Sequence, residues 1–147
     1  MNDSETTIEL LHALKDGRRK FREIANELGM AENTARSRYR KLKDAGVLEV
    51  TALVDPERLP GHQTALIGIK ANTPDLVGAG ERIRQLRGVV GVRVVTGRYD
   101  LIVEVLLKED FGLLAFFTEE LTKVKDVRDY ETFVVYKSFG NKVPYVL

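Results

Sequence analysis

The sequence predicts an α+β chain with two domains, an N-terminal helix-turn-helix domain of the winged-helix type and a C-terminal ferredoxin-like βαββαβ sandwich. Apolar residues recur at helical spacing from Thr6 to Gly46, and short apolar or alternating runs typical of strands follow Gly46. The segment "DPERLPG" at 55–61, with two prolines and a glycine, interrupts both patterns. We therefore expect a first domain with a hinge strand at 1–54, a linker at 55–61 and a second domain at 62–147.

Composition excludes several classes of protein. The chain has 147 residues, 44% of them hydrophobic, which is enough for packed cores, and it contains no cysteine. Disulfides, thiolate metal sites and cysteine nucleophiles are therefore excluded. The first nine residues hold no basic residue, and no run approaches the ~18 apolar residues of a membrane span. We expect a cytoplasmic protein with no membrane partner.

Three short helices are predicted in the first domain. Their apolar positions are Ile8, Leu11 and Leu14, then Phe21, Ile24, Ala25 and Leu28, then Ala35, Tyr39 and Leu42. The helices separate at Asp16-Gly17 and at Gly29, and the second break is short enough for a tight turn. Two helices joined in this way form a helix-turn-helix, whose second helix normally lies in the DNA major groove.

Basic residues are concentrated in these two helices. Residues 18–43 contain nine basic and three acidic residues, a surplus of six positive charges on a chain whose formal net charge is +1. Such segregation is typical of phosphate binding, although a solvated helix face is the alternative for Arg38 and Lys41 taken singly. Polar residues in the first turns of the third helix are expected to reach base edges, since Asn suits adenine and Arg suits guanine. The predicted DNA-binding residues are Asn33, Thr34, Arg36, Ser37, Arg38, Arg40, Lys43, Arg18 and Lys20.

Strand-like patterns begin after Gly46. "VLEVTALVD" alternates like a strand, and the second domain is predicted to contain a strand at 65–70, a helix after Pro74, strands at 89–95 and 101–107, a helix, and a strand at "YETFVVYKS". The second of these helices is expected to bury one face, which carries Phe111, Leu114, Phe117, Leu121 and Val124.

Both faces of the predicted sheet require cover. The two helices of a βαββαβ unit pack on one face, yet "LIVEVLL", "VVGVRVV" and "FVVY" are apolar at nearly every position. A second copy of the sheet would cover the other face and give a homodimer with two-fold symmetry. The alternative is cover from the linker strand or from the C-terminal tail "KVPYVL" of the same chain.

Nearly the whole chain resembles one known family. "GRRKFREIANELGMAENTARSRYRKLKDAGVL", "VDPERL", "GRYDLIVEV" and "YETFVV" resemble, in order and spacing, the Lrp/AsnC (feast/famine) transcription regulators of bacteria and archaea. The most specific parts are the pattern Arg38…Leu42…Gly46 and the turn Gly97-x-Tyr99-Asp100. The resemblance implies a DNA-binding domain, a hinge strand and a C-terminal domain that dimerises through its sheet. It also implies assembly of dimers into tetramers or octamers.

The resemblance further implies an amino-acid effector near the turn at 97–100. We expect no cofactor and no metal. A zwitterionic amino acid needs an acceptor for its ammonium group, which Asp100 offers, and donors for its carboxylate, which the N–H groups of Gly97 or Arg98 offer. The alternative is that Gly97 and Asp100 only shape the turn. The candidate effector-binding residues are Thr96, Gly97, Arg98, Tyr99, Asp100 and Thr132.

Three positions depart from the family pattern. Ala31 and Lys20 stand where the family usually has Ser or Thr at the start of a helix, and Pro60 replaces a glycine after "VDPERL". Loss of the capping hydroxyl at Ala31 costs about 1 kcal/mol, so the start of the third helix is expected to be weakened locally unless Asn33 or another group substitutes. The changes at Lys20 and Pro60 are expected to affect the hinge geometry more than the function.

Catalysis is not indicated by the sequence. The only histidines are His12 and His62, and no H-E-x-x-H, G-x-S-x-G or phosphate-binding glycine loop occurs. RNA binding through the sheet is disfavoured, because "LIVEVLL" offers no aromatic residue for stacking. The function predicted is sequence-specific, effector-modulated DNA binding, and the alternative is an Lrp-like ligand-binding module or recruited enzyme.

Overall fold

Three helices build the first unit of the computed structural model, which describes residues 3–147. They are α1 (Asp3–Ala13), α2 (Phe21–Glu27) and α3 (Glu32–Asp44). The three predicted helices are thereby confirmed. Gly29 stands between α2 and α3 with φ +63°, a backbone conformation that L side chains rarely adopt, so glycine allows the turn to be tight.

The core of this unit is small and apolar. Leu10, Ala13 and Ile24 are buried together, and the partly buried residues packed against them are Leu14, Leu28 and Leu42. All three helices therefore contribute to one core. The prediction for α1 was wrong in part, because Leu10 and Ala13 are buried whereas Ile8 is 55% exposed.

The second unit, Ala52–Leu147, contains six strands, two helices and a separate 3₁₀ turn at Pro56–Arg58. The strands are β1 (Leu53–Val54), β2 (Gln63–Ala71), β3 (Val89–Val94), β4 (Leu101–Leu107), β5 (Val127–Val134) and β6 (Val143–Pro144). The helices are α4 (Leu76–Arg84) and α5 (Leu113–Ala115), which continues as a π turn at Phe116–Glu120 and a 3₁₀ turn at Leu121–Lys123. The main sheet is antiparallel with strand order β3-β4-β2-β5, which confirms the ferredoxin-like βαββαβ fold.

The helices cover one face of this sheet. Ile67 and Ile69 of β2, Val103 of β4, Ile83 of α4 and Phe116 of the π turn are all fully buried in the shared core. Helix α4 starts where the sequence predicts, because the Asp75 carboxylate accepts a hydrogen bond from the Gly78 N–H at 2.9 Å.

The hinge region differs from the prediction. Only Leu53–Val54 of the segment 47–55 is a strand, and it pairs with Val143–Pro144 of the same unit. Pro144 lacks an N–H donor, which limits the length of this ladder. The chain divides into its two compact units between Thr51 and Ala52. The segment at 55–61 thus belongs to the second unit, where Pro56–Arg58 forms a 3₁₀ turn.

The buried face of α5 also differs from the prediction. Leu114 was expected to face the sheet, but it is 78% exposed, whereas its neighbour Phe116 is fully buried. The cause is the π turn at Phe116–Glu120, because an i→i+5 turn holds more residues than an α-helical turn and shifts the apolar stripe. Phe111, also expected in this helix, precedes it and is fully buried.

The face of the sheet away from the helices is of mixed polarity. Ile102, Glu104 and Leu106 alternate onto it along β4, and Leu106 is fully buried within a single chain. The C-terminal segment approaches this face, because Asn141 Nδ2 donates to Glu104 Oε1 at 3.2 Å. The chain's own C-terminal segment therefore contacts part of this face, through the residue before the tail "KVPYVL". Phe133 of β5 remains 44% exposed.

Candidate nucleic-acid interface and ligand site

Helices α2 and α3 meet at small side chains. Ala25 of α2 and Ala35 of α3 are buried, with exposed fractions of 2% and 0%. The N–H of Met30 donates to the Ala25 carbonyl at 3.0 Å and closes the end of α2. Because α3 packs through its Ala35 side, its opposite side faces solvent.

Most of the predicted DNA-binding residues lie on the solvent side of α3. Successive helical residues are about 100° apart around the axis, so Asn33, Ser37 and Arg40 lie opposite Ala35. The exposed predicted residues of this helix are Asn33, Thr34, Arg36, Ser37, Arg40 and Lys43. Arg18 and Lys20 are exposed just before α2. The first unit thus presents exposed amide, hydroxyl and cationic groups along one helix.

Arg36 is held in a specific position on the flank of α3. Its Nε and Nη2 atoms both donate to Glu32 Oε1, at 3.0 and 2.6 Å. Its guanidinium carbon lies 4.7 Å from the centroid of the Phe21 ring, in cation–π geometry. Phe21 in turn contacts Tyr39 edge to face, with the ring centroids 5.2 Å apart.

Two other arginines have their own environments. Arg38 is half-buried on the opposite flank of α3, where it lines a shallow cavity with Thr7 and Leu42. Its placement therefore separates it from the exposed face of α3. Arg19 forms a hydrogen-bonded ion pair with Glu27, and this hydrogen bond raises the pKa of Arg19.

The starts of α2 and α3 have no side-chain cap, which the sequence predicts for α3. Lys20 and Ala31 are the N-cap residues, both with extended backbone, and neither contributes a side-chain hydrogen bond. The free N–H groups of the first turn of each helix thus have no hydroxyl cap.

Tyr99 is the centre of the candidate ligand site in the second unit. Its ring lies directly over Gly68 of β2, because a Cβ at position 68 would approach the ring atoms to 2.7 Å. Phe133 contacts the ring edge to face, with centroids 6.2 Å apart. The Tyr99 hydroxyl is buried and has no hydrogen-bond partner among the described residues. Gly68 and Phe133 were not predicted from the sequence.

The neighbours of Tyr99 in the turn have different roles. Asp100 Oδ2 accepts a hydrogen bond from the Ala71 N–H at 2.8 Å, and the Asp100 N–H donates to the Ile69 carbonyl at 2.9 Å. Asp100 thus ties the turn to β2. Gly97, with φ +112°, has the backbone conformation that the turn requires.

Arg98 and Thr132 lie on different sides of the sheet. Arg98 pairs with Glu131 at 3.4 Å and lies over the Tyr99 ring at 5.6 Å. Tyr99, Gly68 and Phe133 form a group that we call the Tyr99 cluster. Thr132 is opposite Ile67, which faces the helices, so Thr132 does not lie at the Tyr99 cluster. Its neighbours Glu131 and Phe133 point to the Tyr99 side instead, a difference that the strand register decides. Thr96 is exposed at the turn.

Two possible features are not seen in residues 3–147. No helix there is long and apolar enough to cross a membrane. Nor do three or more His, Asp or Glu side chains of that range come together in a way that would hold a metal ion.

Both units match domains of one family. The AsnC-type helix-turn-helix domain matches residues 5–43, and the Lrp/AsnC ligand binding domain matches residues 64–143. The HTH-type transcriptional regulator FL11 of Pyrococcus horikoshii is 31% identical over 84% of this chain and 82% of its own. The solved leucine response regulatory protein (LrpA) of Mycobacterium tuberculosis has a TM-score of 0.78, 22% identity and 96% coverage of both chains.

A further solved structure with this fold contains an amino acid. It is the complex of the transcriptional regulator NMB0573 of Neisseria meningitidis with L-Met, at a TM-score of 0.70 and 20% identity, covering all of this chain and 96% of that one. The two domain matches stand in the same order as the two compact units and cover both of them. The chain therefore belongs to the Lrp/AsnC family, whose members combine a helix-turn-helix with a ligand-binding domain and act as transcriptional regulators.

Proposed function

We propose that this regulator binds duplex DNA with α3 in the major groove and that an amino acid bound at the Tyr99 cluster modulates DNA binding or assembly. The observation that supports the first part is the exposed side of α3, where Asn33, Ser37 and Arg40 stand together. Cations flank this side, and their attraction to phosphates supplies sequence-independent affinity.

Different residues of this surface have different proposed roles. Asn33 suits adenine and Arg36 suits guanine, so we assign base contacts to them, with Thr34 and Ser37 beside them. The phosphate contacts are assigned to Arg40, Lys43, Arg18 and Lys20. Arg38 is assigned a packing role instead, since it is half-buried beside Thr7.

Binding to duplexes selected from a random library tests these roles. Arg36→Ala should weaken binding to the selected duplex by about 1–3 kcal/mol and relax the preference at one base pair. Lys43→Ala should weaken binding to all sequences alike and reduce by about 1 the slope of log affinity against log salt concentration. Lys125→Ala, which removes an exposed cation from the second unit, is the control and should change neither quantity. Failure of the wild-type chain to enrich any duplex would refute the DNA-binding proposal.

The second part of the proposal concerns the effector. The match to a ligand-binding domain supports a small molecule, and the methionine complex of the neisserial protein supports an amino acid as its class. We assign the ammonium group to the free carboxylate oxygen of Asp100 and the carboxylate to N–H groups of Gly97 and Arg98. The buried hydroxyl of Tyr99, which has no hydrogen-bond partner within residues 3–147, provides a further polar group at this place.

Calorimetric titration of the full chain with each of the common amino acids tests the effector site. Asp100→Asn keeps an acceptor for the Ala71 N–H but removes the negative charge, so we expect the best-binding amino acid to lose at least about tenfold in affinity. Asp129→Asn, at an exposed position of β5, is the matched control. Equal affinities for both variants would remove Asp100 from the site.

We also propose a homodimer formed through the open sheet face, which is the face of the sheet away from the helices. Such dimers are proposed to associate into tetramers or octamers. The partly exposed Phe133 on that face supports the dimer. The role is regulatory and not enzymatic, in accordance with the family. Because its target is chromosomal DNA, we place the protein in the cytoplasm.

A further inference from the structure

Glu32 is an acidic residue on the basic surface of the first unit. It is the first residue of α3, only one position from Asn33 and four from Arg36. Its side chain is 39% exposed and that of Arg36 is 48% exposed, so both are accessible to a bound duplex. A carboxylate at this place repels phosphates, which makes its presence in a DNA-binding surface a feature to be explained.

The hydrogen bonds of Glu32 define which edge of the Arg36 guanidinium stays free. A guanidinium offers a side edge, formed by Nε and Nη2, and an end edge, formed by Nη1 and Nη2. Glu32 Oε1 accepts from Nε at 3.0 Å and from Nη2 at 2.6 Å, so it occupies the side edge. The end edge still has its Nη1 protons and the second Nη2 proton for a bidentate contact.

Phe21 holds the plane of the same group. Its ring centroid lies 4.7 Å from the guanidinium carbon of Arg36, and its edge-to-face contact with Tyr39 locks the ring against α3. Arg36 is therefore held at its side edge by Glu32 and at its face by Phe21. Preorganised donors lose less conformational freedom on binding than mobile ones.

We propose that Glu32 and Phe21 are specificity-determining positioning residues, which make Arg36 present its end edge to the O6 and N7 atoms of one guanine. This inference rests on the proposed function, in which α3 lies in the major groove. An unrestrained Arg36 would contact phosphates as readily as bases, and phosphate contacts contain no sequence information. Glu32 thus improves discrimination at one base pair and lowers affinity for non-specific DNA.

The test compares three duplexes: the site selected by the wild-type chain, the same site with the base pair recognised by Arg36 changed, and a shuffled sequence. The recognised base pair is the one at which Arg36→Ala loses its preference. We expect Glu32→Gln to reduce discrimination at that pair about three- to tenfold and to bind the shuffled duplex more tightly. Phe21→Leu, which keeps an apolar side chain against Tyr39, should reduce discrimination in the same direction.

Two controls separate positioning from general charge. Glu27→Gln removes one negative charge from the same unit, where Glu27 pairs with Arg19, and should leave base preference unchanged. In an Arg36→Ala background, Glu32→Gln should no longer alter discrimination at that base pair, because no arginine remains to be positioned. Thermal unfolding of each variant verifies that the first unit is folded.

Each outcome has a definite meaning. The inference is supported if Glu32→Gln reduces discrimination in the wild-type background but not in the Arg36→Ala background. Unchanged discrimination in both Glu32→Gln and Phe21→Leu overturns the inference and leaves the proposed function intact. An equal effect of Glu32→Gln on discrimination with and without Arg36 has the same meaning. Absence of any selected duplex for the wild-type chain overturns both the inference and the proposed function.

Discussion

Glu120 is a carboxylate at the edge of the second unit's core, with only 8% of the residue exposed. Burial disfavours its charged form, but Lys123 Nζ donates to it at 2.7 Å and the Arg87 N–H donates at 3.1 Å. These two donors outweigh the desolvation, and the pKa of Glu120 is lowered from its ordinary value of 4.5. The charged carboxylate therefore links the end of α5 to the loop before β3.

The lowered pKa of Glu120 predicts a pH-dependent contribution to stability. A carboxyl group whose pKa is lower in the folded state stabilises the fold above its unfolded pKa and loses this effect as pH falls through the folded value. Glu120→Gln should thus lower the free energy of unfolding by about 1–3 kcal/mol at pH 7. The difference from wild type should shrink as the pH falls below about 4.5.

Urea unfolding measures this effect at pH 7 and pH 3.5. Tyrosine fluorescence is a suitable probe, because four of the five tyrosines, all except Tyr39, lie in the second unit. The exposed neighbour Glu119→Gln is the control and should resemble wild type at both pH values. A difference of the same size at both pH values would show that the charge of Glu120 is not the cause.

At the scale of secondary-structure elements, helices α2 and α3 both lack a side-chain N-cap. Both begin with extended backbone at Lys20 and Ala31, and neither N-cap side chain accepts a hydrogen bond. Glu32 in the first turn of α3 compensates in part, because a negative charge is favourable near a helix N-terminus. These short helices therefore depend on packing at Ala25 and Ala35 more than on local signals.

Restoring a cap should stabilise the first unit. Ala31→Ser places a hydroxyl where it can accept a hydrogen bond from the first turn of α3, with an expected gain of about 1 kcal/mol. Thermal unfolding followed by circular dichroism should show a rise of about 4–8 °C for a domain of this size. Ala45→Ser at the C-cap of α3 offers no such acceptor role and serves as the control. An unchanged midpoint for Ala31→Ser would indicate that these N–H groups are already satisfied.

At the scale of the whole molecule, the proposed dimer depends on the open face of the sheet. The chain's own tail reaches Glu104 through Asn141, but Leu66 is only partly buried and Phe133 is 44% exposed. These two side chains stand opposite each other on β2 and β5 and form an apolar area on that face.

A charge on this face should disrupt the proposed dimer. Leu66→Lys buries an ammonium group if two sheets pack face to face, so sedimentation velocity should show monomers where the wild-type chain forms dimers or larger assemblies. Leu114→Lys adds the same charge on α5, where the side chain is 78% exposed, and should leave assembly unchanged. A wild-type monomer, or a Leu66→Lys dimer, would contradict an interface through the open sheet face.

Much of the fold was predictable because its signals are local. The three helices of the first unit and the order of the βαββαβ elements follow from the period of apolar residues and from breaks such as Gly29. The prediction was wrong in α5, where the helical period of apolar residues is interrupted. The π turn there exposes Leu114 and buries Phe116, and it has no simple signature in the sequence. The hinge strand was predicted too long because its length depends on a distant partner, Val143–Pro144.

The candidate sites divide in the same way. Sequence alone determined which residue types occupy α3 and the turn at 97–100, because charge and turn chemistry are properties of the chain itself. These residue types predicted the family, which the domain matches confirm, and they led to the proposals of DNA and an amino acid as ligands. Only the tertiary structure decided that Arg36 is bound by Glu32 and Phe21, that Gly68 makes room for the Tyr99 ring, and that Thr132 faces away from that ring. Such relations depend on strand register and helix packing, which bring together residues far apart along the chain.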